Sequence, residues 1–279
     1  MRALQNLKIS VGGLILLLLL ICGFNAPLLA PYDPQEQRLE DRLKPPSLNA
    51  EGSRIYLLGT DNLGRDIMSR VIYGSRISLL VGATTVILAG LVGCILGAVA
   101  GYFGDVTDEI INKTTEIFLA FPFLLLAIAL MAFLGQGLLN LIVALMLSRW
   151  VQYCRVVRGE VLSLREREFV MAVRALGGRD FYVLFRHVLP NTVASVTVVA
   201  TFSMAIVIIS EASLSFLGLG VPAHIPTWGS MLSEGRAYMY RAPWLTIFPG
   251  LAIFITVFGI NLLGDGLRDI LDPKLRAQN

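Results

Sequence analysis

The chain has 279 residues, of which 55% are hydrophobic and 15% are charged, and its mean hydropathy is +0.70. Soluble domains carry about 25% charged residues, so a chain this apolar has too little polar surface to coat a soluble core. The formal net charge of +3 is too small to indicate a nucleic-acid partner. The composition therefore excludes an ordinary soluble enzyme and predicts an all-α integral membrane protein.

Long uncharged stretches locate the membrane-spanning helices, each of which needs about 20 mainly apolar residues. The 32 uncharged residues between Glu116 and Arg149 exceed one helix, and the turn signal at 135–137 divides them into a hairpin. Pro122 and Pro249 fall inside spans and should bend them. The sequence predicts six transmembrane helices, at residues 9–30, 77–102, 115–134, 138–157, 192–210 and 244–263.

The first span follows Arg2 and Lys8, a positive start that a secretory signal peptide also has. A cleavage site after Ala30 is unfavourable because Leu28 stands where a small residue is expected. We expect a retained helix, and a cleaved signal peptide is the alternative.

Charged residues follow the first span, and small residues line the second. Four charged residues, Arg65, Asp66, Arg70 and Arg76, should form ion pairs or helix caps at the outer interface.

Residues 89, 93, 97 and 101 are Ala, Gly, Gly and Gly, so the second span has a smooth stripe on which another helix can pack. The sequence leaves open whether that helix belongs to this chain or to a partner.

Positively charged residues indicate the orientation, because cytoplasmic loops of membrane proteins are enriched in Lys and Arg. Segment 149–187 contains eight Arg against four acidic residues. It should therefore be cytoplasmic, and six spans then make both termini cytoplasmic as well. Segments 31–76 and 211–243 are then expected on the external side of the membrane.

The sequence lacks the common motifs for nucleotide binding, metal binding and disulfide formation. No Gly-Lys pair is available for a phosphate-binding loop, and two histidines cannot form a HExxH zinc site. Cys22, Cys94 and Cys154 have no metal or disulfide spacing. We expect no cofactor and no metal on this chain. An intramembrane hydrolase using Ser203 or Ser213 is an alternative, although no His lies deep in a span.

The predicted spans also have their charges at their ends, which disfavours an ion-coupled secondary transporter, because such coupling needs an ionisable group in the path. We therefore expect that energy for any transport enters through a partner.

The most specific segment is the loop at 158–191. Ser163 and Glu166 match a capping box, which predicts a helix from about 164 to 176 that ends at Gly177 in the left-handed conformation. Asp180 should cap a second short helix that ends before Pro190. The first helix is predicted to plug a groove on another protein, and the alternative is an amphipathic helix that rests on the membrane.

Residues 170–177, followed after nine residues by His187-Val188-Leu189-Pro190, resemble the EAA loop of ABC importer permeases. The Gly spacing and the Leu-Pro pair match the pattern. Met171 replaces the Glu of the pattern, and Glu166 or Glu168 is a nearby substitute. The resemblance implies that an ATPase subunit contacts Glu166, Glu168, Phe169, Met171, Ala172, Arg174, Ala175, Leu176, Gly177 and Asp180.

Segments 58–79, 211–220 and 261–269 are similar to permeases of the dipeptide, oligopeptide and nickel family, and the long segment after the first span resembles their C-type subunit. The resemblance covers residues from about 8 to 276 and implies a type I ABC importer permease fold. It divides the chain into an N-terminal helix and external segment (1–76), a transmembrane core (77–264) and a cytoplasmic tail (265–279).

The resemblance also implies a subunit of the bacterial inner membrane that works by alternating access. The implied partners are a homologous second permease, two ATPase subunits that hold ATP and Mg, an extracytoplasmic substrate-binding protein and membrane lipid. The implied solute is a di- or oligopeptide, with a nickel chelate or another peptide-like compound as the alternative.

Candidate residues of the translocation path are polar groups near the outer ends of the last two spans. Glu211 should either contact the solute or lie solvated or paired at the outer end of span five. The candidates are Glu211, Ser213, Ser215 and Asn261.

Overall fold

The computed structural model describes residues 2–47, 54–222 and 224–271, with side chains from Leu7 onward. Within these ranges the chain is helical, and the only β contact is an isolated bridge between Thr60 and Asp66. The all-α prediction is confirmed. The helices are α1 (Arg2–Phe24), α2 (Ala26–Leu29), α3 (Ile67–Phe103), α4 (Asp105–Leu119), α5 (Phe123–Leu134), α6 (Leu138–Leu164), α7 (Glu168–Ala175), α8 (Asp180–Val183), α9 (Val193–Phe216), α10 (Trp228–Gly235) and α11 (Trp244–Leu271).

Four helical stretches among the described residues are long and apolar enough to cross a membrane, and they begin at Leu7, Ile67, Asp180 and Trp244. The pair α4 and α5 supplies a fifth span if it is one broken helix. The fourth predicted span, at 138–157, lies in α6, a 27-residue helix that is less apolar than these because it carries Arg149, Arg155 and Arg158.

The two prolines inside predicted spans have different effects. Pro122 precedes the first residue of α5 with a ψ of 128°, and α4 and α5 meet there at 86°. The third predicted span is therefore two helices, since proline disfavours the helical conformation of the residue before it. Pro249, in contrast, lies inside the uninterrupted α11.

The small-residue stripe of α3 packs against α6 of the same chain. A Cβ atom on Gly93 would lie 2.3 Å from the Trp150 carbonyl oxygen, and one on Gly97 would lie 2.4 Å from that of Cys154. Gly101 approaches Arg158 in the same way. The stripe is thus an intrachain interface along which two helix backbones are nearly in contact.

The N-terminal helix α1 packs against α11 by the same device. A Cβ atom on Gly12 would lie 2.7 Å from the Gly259 carbonyl oxygen, and Gly259 in turn faces Ile15. Lys8 forms an ion pair with Asp269 at 3.1 Å. The N-terminal helix is therefore built into the bundle.

The segment between α2 and α3, which the sequence predicts to be external, folds back onto the bundle near the first residues of α3 and α11. Asp41 accepts hydrogen bonds from Lys44 at 2.6 Å and from the buried Tyr56 at 2.7 Å. These bonds hold the pKa of Asp41 below its usual range, whereas burial and the bond to Asp41 raise the pKa of Tyr56 to about 12. Trp244 completes the attachment by donating to the Thr60 carbonyl.

The α3–α6 contact predicts a position-specific effect of alanine. Gly97→Ala should lower the free energy of unfolding by about 1–3 kcal/mol, because its Cβ would overlap the α6 backbone and the helices must separate. Heat unfolding in detergent, followed by the loss of monodisperse protein, measures this. Gly90→Ala on the same helix is the control, since its Cβ would lie at an ordinary 3.6 Å from Tyr153. Equal stability of the two variants would contradict the close packing of α3 on α6 at Gly97.

Candidate coupling surface and membrane path

The loop helix α7 begins later than the capping box predicts. Ser163 lies inside α6, which continues to Leu164, and α7 begins at Glu168 after Arg167. The capping-box prediction is wrong because α3 supports α6 beyond the predicted boundary, where Arg165 donates to the Gly101 carbonyl at 3.1 Å. The helix that the sequence places at 164–176 is therefore a single short helix of eight residues.

The end of α7 agrees with the prediction. Gly177 has a φ of +85°, and its N–H donates to the Arg174 carbonyl at 2.9 Å. The Gly178 N–H donates to the Val173 carbonyl at 3.0 Å. This pair of bonds is a Schellman motif, which a glycine in the left-handed conformation favours.

The second helix of the loop differs from the prediction at both ends. Arg179 precedes α8, and Asp180 is the first helical residue and makes no capping bond. The helix also continues past Pro190, because a π-helical turn at Leu184–Val188 and a 3-10 turn at Leu189–Thr192 link α8 to α9. These irregular turns accommodate a proline that has no N–H to give.

A small apolar core fixes the loop to the inner ends of α3 and α6. Val170 of α7 and Val183 of α8 are fully buried. They pack with Leu184 and Val188 against Ala98 and Tyr102 of α3 and against Val157 and Val161 of α6. The loop is thus held by side chains from both helices of the glycine interface.

Tyr102 ties the two loop helices together. The Arg174 guanidinium lies over the Tyr102 ring at 4.6 Å and donates to its hydroxyl at 3.1 Å. That hydroxyl donates to Asp180 at 3.1 Å. Arg174 and Asp180, both predicted ATPase contacts, therefore also orient the loop on α3.

All ten predicted coupling residues are exposed. The structure adds Phe181, Tyr182 and Phe185, which the sequence-based prediction missed although Phe181 and Phe185 are four residues apart in a helical segment. Leu176 is 89% exposed and Phe181 is 65% exposed. We call the exposed apolar patch the coupling surface; it consists of Phe169, Met171, Leu176, Phe181, Tyr182 and Phe185.

Glu211 is neither solvated nor ion-paired at the outer end of its span, so that part of the prediction is wrong. Its side chain is fully buried and accepts hydrogen bonds from Ser78 of α3 at 3.0 Å and from Ser215 at 2.8 Å. The expectation that charges stop at span ends is therefore also wrong. Close packing of α3 on α9, which hydropathy does not register, encloses this carboxyl group.

The other path candidates lie apart from this group. Ser213 donates to the Ile209 carbonyl of its own helix at 2.8 Å and lines a cavity of about 350 Å³. Asn261 is partly buried on α11. Of the four predicted path residues, the structure brings together Glu211 and Ser215, and the path assignment stays a prediction.

A buried ion network closes the outer end of α3. Arg65 contacts Asp61 and Glu234, each at 2.6 Å, and Arg70 contacts the same two carboxylates. Asp66 caps α3 by accepting the Ser69 N–H at 2.7 Å. These residues pair or cap as predicted.

Arg76 differs from the other three predicted residues. It is exposed at the wall of a cavity of about 790 Å³ and has no ion pair to a described residue.

Long apolar helices packed in a bundle, together with a packed loop that exposes apolar side chains, define the class of membrane-embedded subunits with a surface suited to contact another protein. The chain belongs to the family of binding-protein-dependent transport system inner membrane components, whose profile matches residues 93–277. The profile of the N-terminal transmembrane domain of oligopeptide transport permease C matches residues 8–46. The resemblance to C-type peptide permeases is thereby confirmed.

Curated relatives align in sequence with nearly the whole chain. The di/tripeptide transport system permease DppC of Pseudomonas aeruginosa (strain UCBPP-PA14) is 44% identical over 96% of this chain and 89% of its own length. The glutathione transport system permease GsiD of Pectobacterium atrosepticum is 44% identical, over 99% and 90%. The oligopeptide transport system permease OppC of Bacillus subtilis (strain 168) is 41% identical, over 99% and 88%.

A solved structure confirms the fold. An inward-facing MetNI methionine ABC transporter contains a chain that aligns with a TM-score of 0.60 at 18% identity, over 74% of this chain and 98% of that one. The type I importer permease fold is therefore confirmed, and this chain is a multi-pass transport subunit of the inner membrane rather than a member of an enzyme family. Membership in a binding-protein-dependent system implies ATPase and substrate-binding partners.

The outer ion network predicts unequal effects of two arginine substitutions. Arg70→Met should lower the free energy of unfolding by about 3 kcal/mol, because it leaves the buried Asp61 and Glu234 short of a cation. Trp228 and Trp244 bond to the neighbouring carbonyls of Val71 and Thr60, so their fluorescence reports unfolding here.

Arg76→Met is the matched control for this substitution and should change stability by less than about 0.5 kcal/mol, because the Arg76 side chain is exposed. Equal effects of the two substitutions would refute the importance of the network.

Proposed function

We propose that this chain is one of two homologous permease subunits of an ABC importer that moves di- or oligopeptides inward. In this proposal the cytoplasmic ATPase subunits hold ATP and Mg, and the present chain binds no cofactor or metal. A binding protein delivers the solute from outside. The observation that carries the proposal is the coupling surface, a patch of exposed apolar side chains on a rigidly packed loop.

The physical argument for an ATPase partner is the cost of leaving this surface in water. Six large apolar side chains are at least 44% exposed, in a loop whose own core is already complete. Large apolar side chains left exposed together in one short loop mark a protein contact site. The exposed charged residues Glu166, Glu168 and Arg179 lie in the same loop.

The same contacts explain how force would reach the membrane. Val170 and Val183 join the loop to α3 and α6, which are themselves nearly in backbone contact. Closure of an ATPase dimer would move the loop and both helices together. The spans would then rock around the solute, as alternating access requires.

Orientation follows from the arginine-rich loop at 158–191, which we place in the cytoplasm together with both termini. The second permease and lipid would cover the apolar side chains that the bundle leaves exposed. Examples are Phe133 of α5, which is 89% exposed, and Leu14 of α1, which is 56% exposed.

The names of the relatives support a peptide solute, since they specify di- and tripeptides, oligopeptides and glutathione. The test is ATP-dependent uptake of a labelled dipeptide by the complete importer in proteoliposomes. Competition by unlabelled tripeptide, glutathione or nickel chelate then identifies the solute class. Uptake of the nickel chelate with no competition from peptides would contradict the peptide assignment.

The coupling surface predicts a separation between folding and assembly. Leu176→Asp should leave insertion and stability unchanged, because the side chain is 89% exposed. It should reduce co-purification of the ATPase subunits about tenfold or more, because a charge enters an apolar contact. The control is Leu39→Asp, at a residue of the external segment that is 69% exposed. Normal ATPase recovery with Leu176→Asp, or equal loss with the control, would count against this surface.

A further inference from the structure

Arg149 is a charged residue in the middle of a predicted span. It lies eleven positions from the start of α6, or about 16 Å along the helix axis. A bilayer has a hydrocarbon core of about 30 Å, so the guanidinium lies near half depth. A cation at that depth is costly unless it faces a partner or a polar cavity.

Within the described residues Arg149 has no acidic partner. Its guanidinium carbon lies 4.0 Å from the centre of the Phe123 ring, and Nη1 donates to Gln152 at 3.2 Å. The Nε atom is buried and has no hydrogen-bond acceptor there. Stacking on an aromatic face leaves the edge of the planar guanidinium free for a carboxylate.

Phe123 is the first residue of α5, so the guanidinium stacks on a side chain of the first turn of that helix. Pro122 precedes that helix and supplies no side-chain cap to its first-turn amides. The helix dipole makes this end favourable for an anion. Phe121 and Leu124 are 57% and 38% exposed, so the bend at Pro122 is open to its surroundings.

Two further observations indicate a polar environment. Tyr153, one helical turn from Arg149, interacts with it electrostatically and places its buried hydroxyl near that of Ser203. Gln152, which accepts a hydrogen bond from Arg149, and Arg155 are both exposed on α6. Polar side chains grouped in this way do not face lipid.

We infer that Arg149 and the N-terminus of α5 form an anion site that binds a carboxylate of the transported peptide at the middle of the membrane. This inference rests on the proposed function and deepens it. A planar, bidentate donor paired with uncapped backbone amides suits a carboxylate better than a cation or a neutral solute. Broken helices near the membrane midplane present their N-termini to anionic groups of solutes in other transporter folds.

The test compares a peptide that has a free C-terminal carboxylate with its C-terminal amide, in the complete importer in proteoliposomes. Uptake of each is measured at saturating binding protein, and the acid-to-amide ratio is formed for each variant. Dividing the acid-to-amide ratio of a variant by that of the wild type cancels the selectivity of the binding protein, which is the same in both. Arg149→Gln should reduce the acid-to-amide ratio about tenfold, the value of a charge-assisted hydrogen-bond pair.

Arg149→Lys retains the charge without the planar fork and should give an intermediate ratio. Lys113→Gln removes a positive charge from an exposed pair on α4 and should leave the ratio unchanged. Co-purification of the second permease shows whether each variant assembles.

Three results would overturn the inference. The first is an acid-to-amide ratio that Arg149→Gln leaves unchanged in an assembled, active importer. The second is loss of the second permease from both Arg149 variants, which would make Arg149 a subunit contact. The third is a wild-type importer that takes up neither peptide, which would overturn the proposed function as well.

Discussion

The close approach of α3 and α6 is the constraint on which the rest of the structure depends. Gly93, Gly97 and Gly101 leave no room for a side chain between the two backbones. At 37 residues α3 is about 55 Å long, and it carries the ion network at its outer end and Tyr102 at its inner end. A tightly packed helix pair transmits displacement, because packed interfaces shift between discrete arrangements rather than deform. In the proposed mechanism, the coupling surface therefore acts on the whole length of α3 and α6.

The division of labour between this chain and its partners follows from where its polar groups lie. The coupling surface is apolar and exposed, whereas Glu211 and Arg149 are ionisable groups inside the long helices α9 and α6. Glu211 is held by two serine hydroxyls, and Arg149 is stacked on Phe123 at the break between α4 and α5. Glu211 links α9 to α3, whereas the Nε atom of Arg149 has no hydrogen-bond acceptor among the described residues. In the proposed mechanism, solute binding and the application of force thus occupy different parts of one packed bundle.

The sequence predicted most of the spans, because hydropathy and turn residues are local signals, and it predicted the coupling loop from its glycine and Leu-Pro spacing. It missed features that depend on packing between distant segments. Ser163 has the sequence pattern of a helix cap, but it lies inside α6 because contacts with α3 support that helix to its last turn. Glu211 looks like a boundary residue because its serine partner on α3 is 133 positions away. The predicted span at 138–157 includes Arg149, but a count of uncharged residues cannot show that this side chain stacks on Phe123 of another helix.

The central claim is that the coupling loop and the α3–α6 pair move as one body. Spin labels at Arg167, directly before α7, and at Leu80 of α3, both exposed, measure this in the complete importer in a cysteine-free background. The distance distribution should agree within about 2 Å between the nucleotide-free and ATP-bound states. A shift of about 5 Å, one helical turn, would mean that the loop moves independently of the helices and would contradict the account.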